Sequence, residues 1–134
     1  MIVRRGQNAE TPLTRETEFI LSRTFTPETP RRLACIVWRQ QCGTFRQLYG
    51  DGVIKVGMSG IADLGGFLCN GRTLQVETKT AEGRLSRVQL KFRDWVVEMG
   101  GLYVVARSAG HAQAAVLESL QTHGPVNTTS QSMP

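Results

Sequence analysis

Three side chains able to do polar chemistry, Asp63, Glu77 and Lys79, fall within one short stretch of the chain. Between residues 73 and 79, apolar side chains alternate with polar ones, which is the pattern of a β-strand with one buried face. Glu77 and Lys79 therefore project from the same face of that strand. Asp63 lies in a glycine-rich segment, and the Asn70-Gly71 pair that follows it is a strong hairpin signal. The pattern predicts that Asp63 and Glu77 lie close together.

Two carboxylates that converge in a partly buried site repel each other unless a cation lies between them. Oxygen ligands without cysteine or histidine suit Mg²⁺ or Mn²⁺, which keep several waters and also bind substrate phosphate. An adjacent lysine ammonium orients the attacking water or stabilises charge on the phosphate. The chemistry that fits these residues is phosphodiester hydrolysis. A glutamate and a lysine side by side on a strand also make an ordinary ion pair, which needs no site.

The elements around these residues indicate an α/β fold with a mixed central sheet flanked by helices. Thr14 is a suitable N-cap, and the acidic and apolar residues after it predict a helix from about 14 to 24. Residues 33–40 form a hydrophobic run that predicts a buried strand. A glycine-rich turn predicts a hairpin between residues 45–49 and 53–56.

A second helix is predicted after Ser86, because Ser86 and Gln89 have the S-x-x-Q spacing of a capping box. Apolar residues repeat along one face of this helix, namely Val88, Phe92, Trp95, Val96 and Met99. We therefore expect this face to pack on the sheet, with Trp95 in the core.

The chain after this helix returns to the sheet. Gly100-Gly101 ends the helix, and residues 102–107 predict another apolar strand. A helix that joins two strands in this way favours a parallel alignment of the strands at 73–79 and 102–107. Residues 111–120 predict a short closing helix.

The composition is consistent with a single domain that binds phosphate groups. A chain of 134 residues, 40% of them hydrophobic, is long enough for a single core, and we expect a flexible arm at 1–10, one domain at 11–120 and a disordered tail at 121–134. The net charge is +5 and arginine supplies 13 of the 16 basic residues, although proteins that never bind nucleic acid also show such an excess. Three cysteines without a C-x-x-C pair argue against a disulfide framework or a zinc site and favour a reducing cytoplasm. No segment has the length needed to span a membrane, so no membrane partner is expected.

The order of these motifs resembles the VRR-NUC domain, a branch of the PD-(D/E)XK nuclease superfamily found in phages and in eukaryotic DNA repair. The matching motifs are G-x-x-D ending at Asp63, E-x-K starting at Glu77, G-R-L-S-x-x-Q ending at Gln89, then a helix closed by Gly-Gly and a strand. The resemblance runs from about Thr14 to Leu120. Residues 38–43, WRQQCG, also resemble the W-R-x-N-x-G stretch of phage members. Ala62 stands where the superfamily name has proline, at a position that carries no charge.

The resemblance implies a role for each residue of this motif. Asp63, Glu77 and the backbone carbonyl of Thr78 would bind Mg²⁺ or Mn²⁺, with no further small-molecule cofactor. Lys79 would be the catalytic lysine, and Gln89 would support it by ordering water or substrate. A side chain occupied with capping is not expected to point into a cleft as well, so the two roles of Gln89 compete.

Further charged residues are candidates for contact with the site or with DNA. An acidic residue of the first helix approaches the metal in the family, and Glu16 is the matching position, although negative charge near a helix N-terminus is favourable in any protein. The candidate DNA contacts are Arg39, Arg46, Lys55, Arg84 and Arg87. Arg84 and Arg87, near a helix N-terminus, are the best placed to meet a phosphate backbone. The other three would equally be solvated surface residues.

The resulting expectation is a Mg²⁺- or Mn²⁺-dependent endodeoxyribonuclease that cuts branched DNA, such as four-way junctions, in phage or repair processes. By analogy with stand-alone family members, it would act as a homodimer in the cytoplasm of a bacterial or phage-infected cell. One alternative is a catalytically silent protein that keeps the fold for DNA binding or assembly. Another is an unrelated basic α/β protein in which Asp63 and the E-x-K strand meet by accident.

Overall fold

A computed structural model describes residues 2–4, 10–40, 43–47, 53–56 and 58–123, with the side chains of 11–40 and 58–122. In chain order the elements are β1 (Ile2–Arg4), α1 (Glu10–Leu21), β2 (Cys35–Arg39), β3 (Gly43–Gln47), β4 (Val53–Val56), β5 (Leu64–Leu68), β6 (Thr73–Thr78), α2 (Arg87–Glu98), β7 (Leu102–Ala106) and α3 (Ala109–His123). The fold is α/β with a four-stranded mixed sheet, as the sequence indicated.

The four-stranded sheet has the strand order β2-β5-β6-β7. The β2–β5 and β5–β6 pairs are antiparallel, whereas β6 and β7 are parallel, which confirms the alignment predicted from the helix between them. Leu64 of β5 lies opposite Val76 of β6, and Glu77 lies beside Val105 of β7. This register sets which side chains meet on each face.

One face of the sheet carries the larger core, to which α1 and α3 contribute. Alternate residues of the strands point into this core because side chains on a strand alternate between faces. Its buried members from the strands include Leu64, Leu68, Leu74, Val76, Val104 and Ala106. Leu21 of α1 and Val116 of α3 are fully buried against them. The prediction that Leu74 and Val76 share the buried face of their strand is confirmed.

The opposite face is covered in part by α2, through a smaller core. Phe92 and Val96 are buried there with Ala62, and the ring of Phe92 meets Tyr103 edge to face with centroids 6.3 Å apart. The helix begins where predicted, with Ser86 as its N-cap. The predicted apolar stripe is wrong for Val88, Trp95 and Met99, which are all exposed. Only Phe92 and Val96 of the stripe are buried.

Glycines close the two tight turns beside β6. Gly71 has φ 92° in the Asn70-Gly71 turn, which confirms the predicted hairpin between β5 and β6. Gly100 has φ 87° at the end of α2, and Gly101 is buried where an added Cβ would lie 2.3 Å from a methyl carbon of Thr73. Both turns lie at the start of β6, next to Thr73.

The first helix starts earlier than the sequence predicted. It begins at Glu10, so Thr14 is not an N-cap but an interior residue that is 3% exposed. The predicted start of the helix is therefore wrong. The Thr14 hydroxyl does not cap the helix but forms a hydrogen bond with the hydroxyl of Thr78 in the sheet. This long-range bond makes α1 a support of β6.

The remaining sequence predictions differ in detail from the structure. Residues 35–39 form a strand as predicted, but it lies at an edge of the described sheet and Trp38 is 42% exposed, so the prediction of a buried strand is wrong. Residues 2–4 of the predicted arm pair with β3, and β3 pairs with β4 as the hairpin signal predicted. Helix α3 is longer than predicted and includes 121–123 of the expected tail, while 124–134 lie outside the described residues. Among the described residues, no helix has the length and apolar content to cross a bilayer.

Candidate functional site

The β5–β6 hairpin brings Asp63 and Glu77 together, as the sequence predicted. Because Leu64 pairs with Val76, the residues just beyond that pair are neighbours at the end of the two strands. The backbone N–H of Asp63 donates to Oε1 of Glu77 at 3.2 Å. Asp63 and Glu77 thus belong to one hydrogen-bonded cluster at the open end of the hairpin, away from its turn.

The Asp63 carboxylate is held by Thr78, the residue between the glutamate and the lysine of the E-x-K motif. The backbone N–H of Thr78 donates to Oδ2 of Asp63 at 2.9 Å, and its hydroxyl donates to the same oxygen at 2.8 Å. The hydroxyl of Thr14 on α1 completes this chain of bonds at Thr78. Among the described residues, Oδ1 of Asp63 receives no hydrogen bond, so this oxygen is the one left for a ligand.

The Glu77 carboxylate is buried, with 4% of the residue exposed. Its Oε2 accepts a hydrogen bond from Nε2 of Gln89 at 2.8 Å and lies 3.6 Å from Nζ of Lys79. Burial raises the pKa of Glu77 to about 7, and the negative charge of Asp63 adds to this effect. The Lys79 ammonium acts in the opposite direction but does not cancel it. Burial and the neighbouring Asp63 charge therefore both disfavour the ionised form of Glu77.

Lys79 lies on the same face as Glu77, as the alternation predicted. Its backbone N–H continues the β6–β7 ladder by donating to the carbonyl of Ala106 at 3.0 Å. The aliphatic part of its side chain packs at Gly83, where an added Cβ would lie 3.3 Å from Cδ of Lys79. The ammonium is thus directed to Glu77 by the loop that follows the strand.

Gln89 caps α2 and also reaches Glu77, although the two contacts were expected to exclude each other. Its Oε1 accepts from the backbone N–H of Ser86 at 2.8 Å, while its backbone N–H donates to the Ser86 hydroxyl, which confirms the capping box. Its Nε2 donates to Glu77. The prediction that capping excludes the site is wrong, because an amide has an acceptor at one end and donors at the other. One side chain caps α2 and orients a carboxylate.

Two polar residues near this cluster, Thr14 and Tyr103, were not predicted from the sequence. Thr14 was interpreted as a helix cap, and nothing local in the sequence shows that it reaches Thr78. Tyr103 was interpreted as part of an apolar strand, but its hydroxyl is buried without a hydrogen-bond partner among the described residues. Its pKa is raised by burial and further by the charges of Glu77 and Asp63. Tyr103 pairs with Gln75 in the β6–β7 register, so it lies on the same face of the sheet as Glu77. The alternation of side chains along the two strands was the signal from which this could have been predicted.

The structure does not bring all predicted residues to the site. Glu16 is exposed on α1, whereas the face of that helix turned to β6 carries Thr14. Arg39 is exposed at the end of β2, and Arg87 is exposed at the start of α2. The side chains of the two hairpin candidates, Arg46 and Lys55, lie outside the described side chains.

The residues present fit a small hard cation better than a transition metal. Among the described residues, no group of three or more histidine, cysteine, aspartate or glutamate side chains is arranged to hold a metal. Mg²⁺ does not need such a cage, since it is bound through one or two carboxylates, waters and substrate phosphate. Asp63 has one carboxylate oxygen without a hydrogen bond among the described residues, and its charge repels that of Glu77, so the donor set and the electrostatics both suit such a cation. A role for the Thr78 carbonyl as a further ligand stays a prediction.

Comparison of the chain with models of protein families, with curated proteins and with solved structures found no match in any of the three. The functional assignment therefore depends on the residues and their geometry.

Proposed function

We propose that the chain is a divalent-metal-dependent nuclease that hydrolyses DNA phosphodiester bonds, in the VRR-NUC branch of the PD-(D/E)XK superfamily. The observation that carries the proposal is the buried Glu77 carboxylate, bonded to the backbone of Asp63 and 3.6 Å from the Lys79 ammonium. Burial raises the pKa of Glu77, and the negative charge of Asp63 raises it further. A divalent cation between the two carboxylates would favour their ionised forms. The mixed sheet with helices on both faces is compatible with a restriction-endonuclease-like core.

Each residue of the cluster has a defined task in this function. Asp63 and Glu77, with the Thr78 carbonyl, would hold Mg²⁺ or Mn²⁺, which when bound polarises the phosphate and activates water. Lys79, whose ammonium lies 3.6 Å from Glu77, would stabilise negative charge on the phosphate or position the water. Gln89 fixes the orientation of Glu77 through a 2.8 Å bond. Thr78 fixes the orientation of Asp63 through two bonds to one oxygen.

The substrate is DNA, and branched DNA is the preferred form in this proposal. The assignment to DNA follows from the resemblance and from the arginine-rich net charge of +5. A homodimer would place two such sites about a two-fold axis, which suits a branched substrate with two strands to cut. Measurement of solution mass together with cleavage of four-way junctions, flaps and linear duplex tests this part.

The decisive experiment compares conservative variants in a cleavage assay with Mg²⁺ or Mn²⁺. Asp63→Asn and Glu77→Gln keep the size of each side chain and remove its charge, so both should reduce cleavage by at least about a hundredfold. DNA binding in EDTA should be retained, because neither change removes a basic residue. Glu98→Gln is the matched control, since it removes a carboxylate from the exposed end of α2 and should cut like the wild type.

Two results would overturn the proposal. Undiminished cleavage by Asp63→Asn or Glu77→Gln would show that the carboxylates are not the metal ligands. Wild-type protein that binds DNA in EDTA but cuts no substrate at any Mg²⁺ or Mn²⁺ concentration would favour the catalytically silent alternative.

A further inference from the structure

A second concave site lies next to the carboxylate cluster. An open pocket of about 610 Å³ is lined by residues of the loop 81–85, α2, β7 and the start of α3. Its basic side chains are Arg84, Arg93, Arg107 and His111, and Glu82 is its acidic member. We refer to it as the basic pocket. Neither the capping of α2 nor the carboxylate cluster requires three arginines at this place.

The basic pocket adjoins the candidate site. Leu90, which lines it, follows Gln89, whose amide bonds Glu77. Val105, which also lines it, lies beside Glu77 in the β6–β7 register. Gly83 in its wall packs against the side chain of Lys79. A ligand in the pocket is therefore an immediate neighbour of the carboxylate cluster.

Arg107 fixes the shape of the pocket as well as contributing charge. Its guanidinium donates to the backbone carbonyls of Thr80 and Gly83, which holds the loop after β6 against the end of β7. Arg93 lies on the side of α2 that faces Tyr103, and its charge lowers the pKa of that phenol. Arg84 is exposed at the rim. The positive charge thus comes from three separate elements that converge on one cavity.

The lining indicates a ligand with an anionic part and an apolar part. Arginine side chains bind phosphate through several N–H donors at once. Leu85, Leu90 and Val105 give the pocket an apolar wall, which a free phosphate ion does not need. The volume lies within the range of about 300–1,000 Å³ that is typical for pockets of small organic ligands. A nucleotide combines these properties, because its phosphate is anionic and its base has an apolar face.

We propose that the basic pocket binds one unpaired nucleotide of the DNA substrate, with its phosphate among the arginines and its base against Leu85, Leu90 and Val105. This inference rests on the proposed nuclease function and specifies the substrate class. A base inside a continuous duplex must first leave its stack, which costs free energy, whereas a base at a flap, gap or frayed junction is already free. The pocket therefore selects DNA that has an unpaired nucleotide beside the bond to be cut.

The first test measures binding without cleavage. Methyl-labelled protein in EDTA is titrated with thymidine 5′-monophosphate, thymidine or inorganic phosphate and followed by NMR. The monophosphate should shift the methyl signals of Leu85, Leu90 and Val105, and thymidine and phosphate should bind at least about tenfold more weakly. Monophosphate that leaves these signals unchanged would overturn the proposal. Phosphate that binds as tightly as the monophosphate would also overturn it, since the pocket would then be a simple anion site.

The second test uses two arginines that differ in position but not in charge. Arg84 lines the pocket and Arg87, three residues later, does not, although both are exposed. Binding in EDTA is compared for a duplex with one unpaired nucleotide and for a fully paired duplex. Arg87→Ala should weaken binding to both alike, by loss of general attraction to phosphate. Arg84→Ala should remove the preference for the unpaired nucleotide. If both variants keep the same preference, the proposal that the basic pocket binds an unpaired nucleotide is wrong.

Arg107→Ala is not suitable for this comparison, because the loss of its bonds to Thr80 and Gly83 would also release the loop. The two proposals fail in different ways. If the chain is not a nuclease, no DNA is cut, but the nucleotide still binds in EDTA. If the basic pocket does not bind a nucleotide, cleavage persists and Arg84→Ala behaves like Arg87→Ala.

Discussion

Replacement of Glu77 by glutamine should make the metal-free protein less sensitive to pH. The wild-type carboxylate is buried beside Asp63, and its pKa is raised from 4.5 to about 7. The folded state therefore holds the proton of Glu77 more tightly than the unfolded state does. The resulting stability is fully present below pH 4.5 and is lost as the pH rises through about 7. Glutamine cannot ionise, so this loss disappears in Glu77→Gln.

The size of the effect follows from the shift in pKa. One pKa unit corresponds to about 1.4 kcal/mol, so the shift from 4.5 to about 7 amounts to roughly 3 kcal/mol between the limits of low and high pH. Between pH 5 and pH 8, where both proteins can be handled, the expected change is about 2.5 kcal/mol, because part of the transition lies below pH 5. The wild type should lose this amount relative to Glu77→Gln across that interval.

Chemical denaturation in EDTA at several pH values between 5 and 8 measures the quantity directly. The useful value is the difference in unfolding free energy between wild type and Glu77→Gln, since other titrating groups cancel in it. Glu118→Gln, on the exposed side of α3, corrects for loss of a surface charge. A difference that stays constant over this interval would show that the carboxylate is solvated. The reasoning that burial and the Asp63 charge raise the pKa of Glu77 would then be wrong. At pH 8, added Mg²⁺ or Mn²⁺ should stabilise the wild type and not Glu77→Gln.

Two further predictions concern the supports of the site. Gln89→Ala removes both a helix cap and a bond to a buried carboxylate, so it should cost about 2–3 kcal/mol of unfolding free energy. Ser86→Ala affects only the cap and should cost about 1 kcal/mol. Equal losses for the two variants in denaturant titrations would contradict the double role of Gln89. Gly60→Ala should lower the thermal midpoint and cost about 2 kcal/mol or more, because Gly60 has φ 82° and an added Cβ would lie 2.3 Å from the Val88 carbonyl oxygen. Gly110→Ala is its control, since nothing lies within 4 Å of an added Cβ there, and it should be neutral or stabilising.

Local patterns predicted those parts of the molecule whose causes are local. The alternation around Glu77 gave the correct faces of β6, and the Asn70-Gly71 pair gave the correct turn. The S-x-x-Q spacing of Ser86 and Gln89 gave the correct start of α2. These features depend on side-chain period, on φ at a glycine and on bonds across three residues, all of which the sequence shows directly.

The errors concern contacts between residues far apart in sequence. Thr14 bonds Thr78 across 64 residues, so its local suitability as an N-cap was misleading. Trp95 has helical spacing for a core position, but in the folded protein only Phe92 and Val96 of α2 are buried and Trp95 is exposed. Tyr103 joins the site only because β7 lies parallel to β6 in a given register. Tertiary packing decided each of these, and packing is not encoded in a single segment.

The side-chain amide of Gln89 forms one hydrogen bond to the Ser86 backbone and another to the Glu77 carboxylate. The order of the first turn of α2 is therefore coupled to the order of this carboxylate. If that turn unwinds, the amide rotates away and the carboxylate loses the donor that restrains its Oε2. A glutamate at this position would preserve the acceptor for Ser86 but would present a second negative charge to Glu77. Breathing motions at the beginning of this helix therefore set how well ordered the acidic centre is, even though the helix contributes no acid to it.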